Sequence, residues 1–144
     1  MSVRRAEPGD AVALGAVLSD WIDATVWMPR LHSRDDDRDF VGRLIERCDV
    51  WTDDEARGFL ARSGQEVTAL YVARSARRHG LGRRLLEAAK EGQETLSLWT
   101  FQINADAIRF YEREGFREVK RTNGADNDEG LPDVRMMWEA GHVG

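Results

Sequence analysis

The sequence predicts a mixed α/β domain, with helices on both faces of a sheet. Three observations predict it. Apolar residues recur at helical spacing near the start, and then the pattern shortens into strand-like runs. Three such runs, "CDVWT", "ARGFLARS" and "EVTALYVA", follow one another with only the turn-like "DDE" and "SGQ" between them, as antiparallel hairpins do. A strand–helix–strand stretch at 66–101 then requires a crossover, which is right-handed and makes one parallel pair.

Each element has its own warrant. Val3 to Ala6 forms a short first strand, punctuated by "PGD", with Asp10 as helix N-cap. Val12, Leu14, Val17, Leu18, Trp21 and Ile22 give an amphipathic helix from Ala11 to about Ala24. Pro29 in "WMPRLHS" breaks it. Ser33 and Asp36 form a capping pair, and Asp35, Asp36 and Asp37 favour a helix start by their charge. That helix runs to about Arg47 with Phe40, Val41, Leu44 and Ile45 inward. After the three hairpin strands, Leu81, Leu85, Leu86 and Ala89 line one side of a helix to about Glu91. "TLSLWTF" is a strand, Ala105–Glu114 a helix ended by Gly115, "FREVKRT" a strand, "NGADNDEGLPD" a loop and "VRMMWEA" the last strand. The order is β-α-α-β-β-β-α-β-α-β-β. The terminal "GHVG" is expected to fray.

Composition narrows the function classes. A chain of 144 residues, 42% hydrophobic and 33% charged, suits one domain, 1–144, with a real core and a solvated surface. A net charge of −5 argues against nucleic-acid binding. No apolar run is long enough to span a membrane, and Arg4, Arg5, Glu7 and Asp10 do not suit a signal peptide. Cys48 is the one cysteine, so no internal disulfide forms and a reducing cytoplasm fits; it reads as a small core residue. No His/Cys/Asp/Glu set has metal-ligand spacing, and no metal is expected.

The stretch richest in chemistry is "LYVARSARRHGLGRRLLEAAK", Leu70 to Lys90. A strand passes through a turn with two glycines and several arginines into a helix. Helix starts present N–H groups and the positive end of the dipole, and arginines add charge-assisted bonds, so the turn suits a phosphate. A Walker A loop needs G-K-[ST], which is absent. A dinucleotide fingerprint fits Gly80 and Gly82 but meets Leu85 where its third small residue belongs. The pattern R/Q-x-x-G-x-G/A is met in full by Arg77, Gly80 and Gly82. A tight turn with a solvated basic face explains the same residues without a ligand.

A second stretch, "NADAIRFYEREGF" from Asn104 to Phe116, follows the next strand. Together the two resemble the pyrophosphate-binding motif and the N-x-x-A-x-x-F-Y-x-x-x-G-F motif of the GNAT superfamily of acetyl-CoA-dependent N-acetyltransferases. The resemblance is strong over about residues 50–121. It implies a GNAT-type fold: a central, mostly antiparallel sheet with one parallel, splayed strand pair and helices on both faces. It implies acetyl-CoA as co-substrate and a primary amine of a small molecule or peptide as acceptor, attacked directly. Backbone N–H groups from Arg78 through His79, Gly80, Leu81 and Gly82 to Arg83 would hold the pyrophosphate, with Arg77 and Arg78 near outer phosphates and His79 as an added donor. Leu70 and Val72 would serve the pantetheine arm, with the Leu70 amide on the thioester oxygen. Asn104 would touch the cofactor arm, and Tyr111 would protonate the leaving thiolate. A homodimer is expected at the family level only.

Alternatives stand beside these roles. Ile108, Tyr111 and Gly115 also suit a packed helix face. Glu66 lies eleven positions before Arg77, the spacing of the base glutamate in histone-type members, and simple strand alternation puts it with Thr68, Leu70 and Val72; it is equally a turn glutamate, with water as base. Trp21, Trp27, Arg30 and His32 are candidate acceptor-pocket residues, and Arg30 and His32 suggest an anionic group on the acceptor. "ADNDEG" suggests a cation but puts Gly130 where a calcium ligand is required. The rival function is a non-catalytic acyl-CoA-binding regulatory module, which has no need of Tyr111.

Overall fold

The computed structural model describes residues 2–141. Met1 and residues 142–144 lie outside, so the expected fraying of "GHVG" falls mainly there. Among the described residues the elements are β1 (Val3–Arg5), α1 (Ala11–Ala24), α2 (Arg34–Arg47), β2 (Asp49–Asp53), β3 (Gly58–Ser63), β4 (Glu66–Val72), α3 (Leu81–Lys90), β5 (Thr95–Phe101), α4 (Ala105–Arg113), β6 (Arg117–Thr122) and β7 (Asp133–Glu139). This is the order read from the sequence. The fold is a mixed seven-stranded sheet with one parallel pair and four helices. Two compact units divide the chain, one ending at Glu91 and the other starting at Gly92.

In the first unit β1, β2, β3 and β4 are successive antiparallel neighbours. Leu14 and Leu18 of α1 and Val41 and Leu44 of α2 pack with Val50, Phe59, Ala61 and Ala69 into a core on one side of this sheet. Cys48 is partly buried against that core, as a small apolar residue would be. On the other side α3 buries Leu81, Leu85, Leu86 and Ala89.

The helix starts follow local chemistry in part. Ser33 Oγ accepts from the Asp36 N–H at 3.0 Å, and the Asp36 carboxylate accepts from the Ser33 N–H at 3.2 Å, closing the expected capping box. Asp10 stands at the N-cap position of α1 but makes no side-chain cap bond to that helix. Its carboxylate instead accepts from the Glu7 N–H at 2.7 Å and from both Arg4 guanidinium nitrogens. That bond pair holds the Asp10 carboxyl below the usual carboxylate range.

Two residues expected inside are outside. Val12 is 68% exposed and Phe40 is 40% exposed. Val12 lies two residues from Leu14, about 200° around the helix from the buried stripe of Leu14, Val17 and Leu18. Phe40 sits beside, not on, the stripe of Asp37, Val41 and Leu44.

In the second unit β7 lies between β5 and β6, antiparallel to both. The register runs from Thr95↔Glu139 to Phe101↔Asp133, and slips between Glu118 and Lys120 on β6. The 123–132 loop closes on Asn127, whose side chain donates to the Leu131 carbonyl at 2.7 Å and accepts from the Leu131 N–H at 3.2 Å.

Candidate active site

The strand-to-helix turn is shaped by backbone conformation. β4 ends at Val72, and the Ala73 N–H donates to the Arg57 carbonyl at 2.7 Å. A single 3-10 turn follows at Arg74–Ala76, pinned by the fully buried Ala76. Arg78 then takes a φ of +66° and Gly80 a φ of +83°. The left-handed region is easy for glycine and costs arginine about 1–2 kcal/mol, so Arg78 carries strain at this turn. Leu81, 1% exposed, anchors the first position of α3.

The start of α3 has no side-chain cap. The starts of α2 and α4 are capped by Ser33 and Asn104. Gly80 itself faces open space, with nothing within 4 Å of where a Cβ would stand. Arg77, Arg78, His79 and Gly80 are exposed, as are Arg83 and Arg84, while Gly82 is half-buried. Arg77 Nε donates to the Val72 carbonyl at 3.2 Å, and Arg83 pairs with Glu87 one helical turn on. The turn therefore offers backbone donors and several guanidinium groups on one exposed segment, which fits a pyrophosphate by charge and by backbone shape.

β4 supplies the next feature. Because the Ala73 N–H points to Arg57, ladder alternation turns Tyr71 and Ala69 toward β3 as well. The N–H and C=O of Leu70 and Val72 point away from β3. Leu70 and Val72 are both half-buried.

Glu66 does not share the face expected for it. The register passes from Ala61↔Ala69 to Arg62↔Val67, so Thr68 is an extra residue on β4. A one-residue slip exchanges the faces. Glu66 pairs with Ser63, two residues from Ala61, and so follows the face of Ala69 and Tyr71, not that of Leu70 and Val72. This is the face packed by α1 and α2.

On that face the rings of Trp21 and Trp27 meet edge-on at 5.8 Å, and Trp21 lies 5.1 Å from Tyr71. All three are half-buried, and sequence reading missed Tyr71 because its partner Trp21 is remote in the chain. Arg30, expected to meet an anionic acceptor, is committed elsewhere. Its guanidinium donates to Asp23 at 2.6 Å, Asp37 at 2.9 Å, the His32 carbonyl at 2.8 Å and the Ser19 carbonyl at 3.1 Å. Asp37 is only 4% exposed and also accepts from Ser19 Oγ at 2.6 Å. The pull of Arg30, joined by Arg34, keeps the Asp23 carboxyl low. His32 is exposed.

The second unit carries Asn104 at the N-cap of α4 and Tyr111 within that helix. Asn104 Oδ1 accepts from the Ala107 N–H at 3.2 Å, capping the helix. The oxygen is thus engaged, and the amide N–H donors are what the side chain has left for a ligand. Tyr111 is 8% exposed, its ring 5.5 Å from Phe116 and 5.3 Å from Phe110. The Phe116 N–H donates to the Tyr111 carbonyl at 2.9 Å and the Gly115 N–H to Glu112 at 3.1 Å. With Gly115 at φ +93°, this is a Schellman stop complete with its apolar contact. The Gly-Phe pair at the motif's end therefore orients Tyr111.

Residues 33–118 match the family profile described as Acetyltransferase (GNAT) domain. The chain is 30% identical over 134 residues to Peptidyl-lysine N-acetyltransferase YiaC of Escherichia coli strain K12, covering 87% of this chain and 90% of that one. It is 27% identical over 142 residues to Peptidyl-lysine N-acetyltransferase YjaB of the same organism, covering 96% and 97%. The solution structure of apo YjaB from Escherichia coli aligns with a TM-score of 0.76 at 26% identity, over 95% of this chain and 96% of that one. The structure of yncA, a putative acetyltransferase from Salmonella typhimurium with its cofactor acetyl-CoA, shares the fold at a TM-score of 0.73 and 19% identity, over 100% and 96%.

Proposed function

This chain belongs to the GNAT acetyltransferase family and transfers an acetyl group from acetyl-CoA to an amine, and we propose that its acceptor is a lysine side chain in a protein or peptide. The observation that carries the cofactor half is the turn at Arg78–Gly80. Two left-handed positions separated by one residue, Arg78 and Gly80, an uncapped helix start and exposed arginines meet there. The acceptor half rests on the two peptidyl-lysine relatives. The whole chain, 1–144, acts as one catalytic domain in this reading, in the cytoplasm and as a homodimer.

The residues divide the work. Backbone N–H groups between Arg78 and Arg83 hold the pyrophosphate, aided by Arg77, Arg78 and His79. The edge of β4 at Leu70 and Val72 takes the pantetheine arm, helped by the amide of Asn104. The Leu70 N–H donates to the thioester oxygen, which gains negative charge as the amine nitrogen bonds to the carbonyl carbon. A lysine ammonium has a pKa near ~10.4 and must first lose a proton. Glu66 takes it. Glu66 and Leu70 are four residues apart, about 13 Å of strand, so the proton travels through water. The carbon–sulfur bond then breaks, and Tyr111 gives its phenolic proton to the departing thiolate. The nitrogen, which still holds two protons, gives one back to the phenolate and keeps the other as the amide N–H.

Thermal unfolding with acetyl-CoA, CoA, NAD and ATP tests the cofactor half. A ligand at a hundredfold excess over its Kd stabilises the fold by about 2.7 kcal/mol, a shift of several degrees. The expected result is a shift with both CoA species and none with NAD. No shift with either CoA species would sink the reading. Thiol release with a lysine peptide, set against small primary amines, tests the acceptor half; turnover with the small amines alone would overturn it.

A further inference from the structure

The binding end of α3 is its start, which no side-chain cap holds. Gly80 offers no side chain, and the turn before it is exposed. β3 is one of the strands that hold the helix, and it meets α3 near both helix ends. At Gly58 a Cβ would stand 3.0 Å from Leu81 Cδ2 and 3.0 Å from the Tyr71 carbonyl oxygen, so the helix start seats directly on the strand. At the other end Arg62 Nη1 donates to the Ala89 carbonyl at 2.6 Å. The two spans match: Gly58 to Arg62 is about 13 Å of strand, and Leu81 to Ala89 is about 12 Å of helix.

Arg62 is built for one pose. Its side chain is 11% exposed, and Nη2 donates to Asp49 at 3.1 Å. Its guanidinium lies over the Trp51 ring at 5.0 Å, with Arg5 at the same distance from that ring. Among the described residues, Arg62 Nε is buried without a partner, so the pose is set by the other contacts at the expense of one donor. The last carbonyls of a helix lack intrahelical donors, and a cation there complements the negative end of the dipole. A rigid planar fork keeps a fixed distance where a flexible ammonium would not.

We propose that Arg62, with Gly58 at the other contact, is a positioning residue. It sets the axial position of α3 and hence where the N–H groups at the helix start meet the pyrophosphate. This rests on the pyrophosphate reading above. The test uses two ligands, one with the pyrophosphate and its adenosine and one without: CoA, and acetyl-pantetheine, a thioester that ends before the pyrophosphate. Wild-type protein, Arg62→Gln and Arg62→Lys are compared well below their melting temperatures.

Arg62→Gln is expected to weaken CoA about tenfold, the scale of one charge-assisted hydrogen bond, and to leave the KM for acetyl-pantetheine within about twofold. Arg62→Lys, which keeps the charge and a donor, should recover part of the loss, and it carries the comparison if Arg62→Gln does not fold. Equal weakening of both ligands, or of neither, would overturn the proposal. If the wild-type protein binds CoA no better than acetyl-pantetheine, the pyrophosphate reading itself falls and takes this one with it.

Discussion

Tyr111 shows how one residue serves packing and chemistry together. Its ring is wedged between Phe110 and Phe116, and its carbonyl closes the stop of α4. Tyr111→Phe keeps the ring and removes only the proton donor. Turnover should fall by about a hundredfold, as for loss of a general acid, with acetyl-CoA affinity little changed; unchanged turnover would strip Tyr111 of the role. Gly115→Ala tests the support. At φ +93° with a Cβ 3.2 Å from Trp138 Cδ1, alanine is strained, and unfolding should be easier by about 1–2 kcal/mol. Glu66→Gln should flatten the acidic limb of the pH–rate profile; a profile identical to wild type would leave the proton to water alone. The motif letters carrying Tyr111 and Gly115 were readable in sequence because a Schellman stop spans only a few residues. The face of Glu66 was not, because an extra residue at Thr68 leaves no local mark.

Among elements, α1 and α2 depend on a polar clamp. Arg30 joins the connection between them to Asp23 near the end of α1 and to Asp37 in the first turn of α2. Arg30→Ala would leave the buried Asp37 carboxylate with Ser19 and lose about 2–3 kcal/mol, the scale of hydrogen bonds to a charged group. The urea midpoint should drop with the slope of the transition unchanged. Ser33→Ala removes only the cap and should cost about 1 kcal/mol. The cap was legible in "SRDD", because its partners are three residues apart. The clamp was not: an arginine beside a histidine in a loop looks like a ligand site until its acidic partners on two helices come into view.

Across the whole molecule, acid should be the weak side. Asp10 is held low by Arg4, and Asp49 by Arg5 and Arg62. A carboxylate whose folded pKa is depressed binds fewer protons folded than unfolded in the range between the two values. Its stabilisation is therefore complete above its unfolded pKa, near ~4, and drains away as pH falls through the lower folded value. Melting temperature should be flat on this account above about pH 5 and decline below about pH 4. Arg62→Gln should make the decline shallower by releasing one hold on Asp49; a slope equal to that of wild type would mean Arg5 alone sets it.

By itself the sequence determined the element order, the glycine turn and the α4 motif, and with them the family. Each is written in short-range signals: helical or alternating apolar spacing, a cap three residues from its partner, glycine where φ is positive. Tertiary structure alone decided the face of Glu66, the commitment of Arg30 and the anchoring of α3 by Arg62. Arg62 and Ala89 are 27 residues apart, and Arg5 and Asp49 are 44 apart. Nothing in the local backbone preference of either partner encodes such a pairing. It exists only once strand register and helix packing have brought the two ends together, and a single bulge is enough to change which side chains meet.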